Sequence, residues 1–135
     1  MTNNLTEEAQ HMYMEFQMLS KQMQAIQQHF VKVDESLQEL NATENALSEI
    51  SEVKIGSEIL VPMASGIFLK AKLQENSEVL INSGSSVVVQ KSIKDAKSLI
   101  QSQERELIDF KDNLQEQMEE IHSRMEHIRK KVENV

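Results

Sequence analysis

The sequence predicts an α+β protein: a long antiparallel two-helix coiled coil whose helices are joined by two β-hairpins. Three observations carry that expectation. Two apolar heptad seams of nearly equal length flank the chain, and a β-branched, aliphatic segment separates them. All three glycines and the only proline fall in that middle stretch, at Gly56, Pro62, Gly66 and Gly84. Aromatic residues make up only 4% of the 135-residue chain, too few for the aromatic anchors of a compact enzyme domain. The expected boundaries are residues 1–50 for the first helix, 51–91 for the double hairpin and 92–135 for the second helix, together forming one unit.

The first helix follows from spacing. Leu5, Ala9, Met12, Phe16, Leu19, Met23, Ile26, Phe30, Val33, Leu37, Leu40 and Leu47 step by alternating threes and fours, with Glu44 as one polar miss. A seam held over about six heptads with no Gly or Pro is the signature of a coiled coil. Asn4 or Thr6 is expected to cap its start, with Glu7 and Glu8 facing the positive end of the helix dipole.

The second helix carries Ile93, Ala96, Ile100, Gln103 (a polar miss), Leu107, Phe110, Leu114, Met118, Ile121, Met125, Ile128, Val132 and Val135. Its steps around Phe110, Leu114 and Met118 read 3-4-4, which relaxes a left-handed supercoil without ending the helix. Ser92 followed by Asp95 fits a capping box at its start. Each seam spans roughly 43 residues, or about 65 Å at about 1.5 Å per residue. Two equal seams joined by a short turning unit should pair antiparallel within one chain.

In the middle, four strands are expected near Glu58–Val61, Ile67–Leu73, Glu78–Ile81 and Val87–Gln90, broken by Gly-, Asn- and Ser-bearing turns. Pro62 cannot donate to a ladder and belongs at a strand end or sheet edge. Ile67, Leu69, Ala71 and Leu73 alternate with Phe68, Lys70 and Lys72, the pattern of a half-buried strand. Val87–Val88–Val89 and Val79–Leu80–Ile81 are apolar on both faces and need cover on both sides. A segment this short cannot supply that cover, and its open edges invite another chain. Obligate oligomerisation through the strands is expected, with Ile59, Val61, Ile67, Phe68, Leu69, Val79, Ile81, Val87, Val88 and Val89 as the assembly residues. The alternative is that the strands fold back on their own coiled coil.

Composition excludes several functions. A net charge of −8 argues against nucleic acid, whose phosphates demand a basic surface. With no cysteine there is no disulfide, thiolate metal site or cysteine nucleophile, which suits a reducing cytoplasm. No apolar run approaches the ~18 residues of a membrane span, and the first ten residues lack a signal peptide's order of charge and apolarity. His122 and His127 are five apart, poorly placed for one metal, and His11 across the helix pair adds little. The Ser83–Ser86 turn lacks the Lys of a phosphate-binding loop. No catalytic, cofactor-binding or metal-ligating residue is expected, and no enzyme activity.

The run from Glu58 to Ala96, EILVPMASGIFLKAKLQENSEVLINSGSSVVVQKSIKDA, resembles the central region of the prefoldin alpha subunit. Leu60-Val61-Pro62, Phe68-Leu69-Lys70-Ala71, Val79-Leu80-Ile81 and the valine strand ending Gln90-Lys91-Ser92 carry the likeness. The flanking helices agree in length, and two hairpins mark the alpha type. Ser83-Gly84-Ser85-Ser86 departs from the family, which commonly has a second glycine there. The resemblance implies a heterohexameric chaperone of two alpha and four beta subunits. Its hairpins would form an intersubunit β-barrel platform, and its coiled-coil tips would hold unfolded proteins without nucleotide for a group II chaperonin.

On that reading the client-binding residues are Tyr13, Met14 and Met18, together with Met12, Met125, Ile128 and Val132. Met14 and Met18 lie off the seam, where core packing does not explain them, and flexible thioethers adapt to many apolar shapes. Seam positions Met12, Met23, Met118 and Met125 fill a core first. Residues 1–50 carry two Lys against eight acidic groups, net −6, whereas Arg124, Arg129, Lys130 and Lys131 make the end of the second helix basic. Facing Glu7, Glu8 and Glu15, these would set register through pairs of about 0.2–1 kcal/mol each. The competing reading is an antiparallel coiled-coil tether that oligomerises through its hairpins and binds no client.

Overall fold

The structure is a computed structural model that describes the backbone of residues 2–134 and the side chains of residues 7–134. Helix α1 runs Thr2–Glu52, strands β1 Glu58–Ala64, β2 Ile67–Lys72, β3 Glu78–Asn82 and β4 Val88–Ser92 follow, and helix α2 runs Ile93–Glu133. The fold class is the expected one, two long helices and two antiparallel hairpins, β1 with β2 and β3 with β4. Contacts gather into two units, Met1–Leu37 with Glu106–Val135 and Gln38–Arg105.

In the first unit every described α1 seam residue from Ala9 to Leu37 is at least half-buried, and Val33 is fully so. Leu114 and Ile128 are the buried positions on α2, with Leu107, Met118, Ile121 and Met125 half-buried. The helices run antiparallel: Arg124 Nε donates to Glu15 Oε1 at 2.9 Å, and Lys111 Nζ to Asp34 Oδ1 at 2.8 Å. Two seam assignments need correction. Phe110 is 48% exposed and Val132 45% exposed. Lys111, beside Phe110, takes the seam position, because its aliphatic stem packs inward while its ammonium reaches Asp34 and sits 5.1 Å over the Phe30 ring.

In the second unit Ile93 and Ala96, at the start of α2, are buried, and Leu40, Glu44, Leu47, Ile100 and Glu104 are half-buried. Gln103 is exposed, so Glu104 and not Gln103 occupies the polar seam position. The consecutive four-residue steps therefore fall at Ala96–Ile100–Glu104, not around Leu114 as the apolar residues alone imply. The slips at Phe110 and Gln103 have one cause: long charged side chains occupy inward positions that a purely apolar template passes over.

Helix ends follow local chemistry. Strand β4 runs directly into α2, and the Asp95 N–H donates to Ser92 Oγ at 3.1 Å, the expected N-cap. At the other start, α1 already extends from Thr2, so Asn4 and Thr6 lie inside the helix and not at its cap. The side chains of Leu5, Asn4 and Thr6, and all of Val135, lie outside the described residues. The end of α1 is tied by Asn76, whose Nδ2 donates to the Val53 carbonyl at 3.0 Å, while Gly56 N–H donates to the Leu73 carbonyl at 2.7 Å.

The β1–β2 register pairs Glu58 with Lys72 and Pro62 with Phe68, with a bulge between Pro62 and Ala64. Leu73 N–H donates to the Ser57 carbonyl, so in this register the ladder bonds fall on the odd-numbered residues of β1 and the Pro62 nitrogen faces the open edge. The β3–β4 register pairs Glu78 with Ser92 and Asn82 with Val88. Val87, expected in the last strand, instead closes the turn: its N–H donates to the Gly84 carbonyl at 3.0 Å and its carbonyl accepts from Ser83 N–H at 2.9 Å. Gly84, Ser85 and Ser86 have φ of 101°, 50° and 66°, three successive left-handed residues.

Candidate functional site

Apolar side chains without cover concentrate in two places, one in each unit. In the first unit they lie where the start of α1 meets the end of α2. Tyr13, Met14 and Met18 are 63%, 66% and 62% exposed. Heptad geometry explains this, since all three fall outside the inward positions Met12, Phe16 and Leu19. Met12 and Met125 are half-buried and Ile128 is buried, so these three fill the seam while the helices stay paired. Tyr13, Phe16, Ile128, Arg129, Val132 and Glu133 line a groove of about 200 Å³ between the helices. The structure thus brings Tyr13, Ile128 and Val132 together on one groove and leaves Met14 and Met18 on the open surface of α1. Phe16 and Arg129 belong to the groove and were not among the expected residues. The seam assignment of Phe16 hid its second role as a groove wall.

Charges around this groove sort differently from expectation. Arg124 pairs with Glu15 across the helices. Arg129 stays on its own helix, 2.9 Å from Glu126 and 3.1 Å from Glu133. Its guanidinium holds the Glu126 carboxyl below the ordinary range, first by hydrogen bond and then by charge. Among the described residues Glu7, Glu8, Lys130 and Lys131 form no ion pair.

In the second unit the hairpins expose an unusual amount of aliphatic surface. Leu60, Met63, Ile67, Phe68, Leu69, Leu80, Val87 and Val88 each exceed half exposure, and Val61 and Val89 are also exposed. Ile59, Ala71, Leu73, Val79 and Ile81 are half-buried. The half-buried face expected of β2 therefore forms only at Ala71 and Leu73 within a single chain. Burying one such aliphatic side chain is worth about 1.5–3 kcal/mol, so these strands gain strongly from a partner surface. Ordinary monomers rarely leave so many aliphatic side chains bare in so short a stretch of chain.

His11, His122 and His127 are exposed, and among the described residues no three acidic or histidine groups gather into a metal site. Among the described residues no helix is long and apolar enough to cross a membrane.

Comparisons with known proteins agree with this architecture. Residues 19–135 match the family model described as "Prefoldin subunit". A prefoldin subunit alpha of Methanobrevibacter smithii is 31% identical over 107 residues, covering 79% of this chain and 73% of that protein. A prefoldin subunit alpha of Thermofilum pendens is 24% identical over 114 residues, covering 84% and 88%. In fold, the chain is similar to a subunit in the cryo-EM structure of filamentous PFD from Methanocaldococcus jannaschii. The TM-score is 0.75 at 16% identity, over 85% of this chain and 95% of that one.

Proposed function

The chain belongs to the prefoldin family, and from that premise we propose that it captures unfolded proteins at the exposed apolar residues near its chain termini. Tyr13, Met14 and Met18 form the standing contact surface. Val132 extends it along the groove, and Met12, Met125 and Ile128 join it when the helix ends part. The observation that carries this reading is the exposure of Met14 and Met18. A structural spacer needs only solubility at that place, and two bare methionines work against it. Thioethers are polarizable and bend easily, so they accept client surfaces of many shapes.

Assembly supplies the rest of the mechanism. Residues 51–91 act as the oligomerisation region and residues 1–50 and 92–135 as the coiled-coil arm. The hairpins pair with a second alpha subunit and with four one-hairpin beta subunits, closing their free edges into a β-barrel platform. Clients are held without nucleotide in the cytoplasm and handed to a group II chaperonin. Holding requires no bond to be made or broken, in keeping with a chaperone that is not an enzyme and uses no cofactor. A surface of net charge −8 favours neither nucleic acid nor an anionic membrane.

Mixing the chain with a one-hairpin beta-type subunit, sizing the product and assaying suppression of an unfolded protein's aggregation tests the proposal. A discrete hetero-oligomer that suppresses aggregation is expected. A discrete oligomer without suppression would favour the tether.

A further inference from the structure

Glu44 of α1 and Glu104 of α2 both occupy inward seam positions, Glu44 between Leu40 and Leu47 and Glu104 between Ile100 and Leu107. The Glu44 carboxylate reaches α2 within one turn of Glu104, and each carboxyl acts on the other's titration. Gln101 Nε2 donates to Glu44 Oε1 at 2.9 Å, filling one side of that carboxylate. Glu104 Oε1 is buried and, among the described residues, is the one buried side-chain oxygen without a hydrogen-bond partner. Ionised, both carboxylates can only accept; protonated, Glu104 gains a donor that the Glu44 carboxylate can accept. One proton turns an orphaned atom and a like-charge contact into a satisfied bond.

We propose that Glu44 and Glu104 form a carboxyl–carboxylate latch between the helices, which holds one proton and loosens this layer of the coiled coil as that proton leaves. The groups acting on the pair are few. Burial, then Glu44, pushes the Glu104 carboxyl above its ordinary value of 4.5. Gln101, then Glu104, holds the Glu44 carboxyl below the same value, with a smaller contribution from the Lys97 ammonium. The two signs differ. A raised Glu104 adds stability below pH 4.5, and that gain is lost as pH rises through its elevated midpoint. A depressed Glu44 adds stability above pH 4.5, lost as pH falls through its own midpoint. The layer is therefore tightest with Glu44 ionised and Glu104 protonated, and opens on the alkaline side by repulsion between two carboxylates.

The test uses the full chain with 13C-labelled glutamate side chains, together with Glu104→Gln and Glu44→Gln. The expected spectrum contains one carboxyl titrating above 4.5 that is missing in Glu104→Gln and moves down in Glu44→Gln. Amide exchange at residues 40–47 and 100–107 supplies a second readout. The wild-type rate divided by the Glu104→Gln rate at the same pH should climb through the window, by up to about tenfold per pH unit for one proton. Glutamates that all titrate at or below 4.5, or an exchange ratio flat with pH, would overturn the latch. A packing role alone would shift that ratio by the same factor at every pH.

Discussion

Lys111 Nζ lies 2.8 Å from Asp34 Oδ1 and 5.1 Å from the centre of the Phe30 ring, so one ammonium on α2 engages two residues a turn apart on α1. The ion pair fixes which turn of α1 lies against which turn of α2, a choice that apolar seams leave weakly specified. Both side chains are partly exposed, so the pair is screened and its strength modest.

A double-mutant cycle on Asp34→Asn and Lys111→Met, measured by chemical denaturation, is expected to give a coupling of about 0.5–1 kcal/mol that shrinks with added salt. Lys111→Met alone should cost little, because it keeps the buried stem that covers the seam. A coupling of zero at low salt would show that the contact does not set register.

The turn after β3 holds Ser85 at φ 50° and Ser86 at φ 66°, a backbone region that favours glycine. Ser86→Gly removes the Cβ penalty, partly offset by the added freedom of the unfolded chain. A stability gain of up to about 1 kcal/mol is expected, read as a higher denaturation midpoint. A loss of stability would mean that the serine side chain contributes more to the turn than its backbone costs.

Leu80 is 72% exposed and Phe68 55% exposed, so neither packs within the chain. Leu80→Lys or Phe68→Asp should leave the helix content of the chain unchanged by circular dichroism. Sedimentation should show assembly with a beta-type subunit abolished, because a charge would be buried without a partner in the joined sheet. Normal assembly of both variants would place the subunit interface elsewhere.

The division between what could be read in the residues and what could not is physical. Heptad spacing located the α1 seam from Ala9 to Leu47, where every seam residue, Glu44 included, is at least half-buried. Ser92 announced the start of α2 because a serine hydroxyl before a charged first turn has one obvious donor to accept. The α2 seam between Ile100 and Leu114 was misaligned by Phe110 and Gln103. Glu104 and Lys111 fill the inward positions there, and a charged side chain turned inward is legible only with its partner on the other helix. The cap that Asn76 places on the end of α1 spans 23 residues of sequence and leaves no local pattern. At the candidate contact surface, the off-seam position of Met14 and Met18 was readable from spacing alone. The groove between Phe16 and Arg129 required the crossing of two distant segments.

The central claim, that exposed apolar residues near the termini hold unfolded protein, is tested most directly by aggregation suppression with Tyr13→Ser, Met14→Ser and Met18→Ser combined. All three side chains are exposed and off the seam, so their replacement should leave assembly and thermal unfolding as they were. The account predicts an oligomer of unchanged size by sedimentation that no longer keeps an unfolded client in solution. Full suppression by that intact oligomer would contradict it.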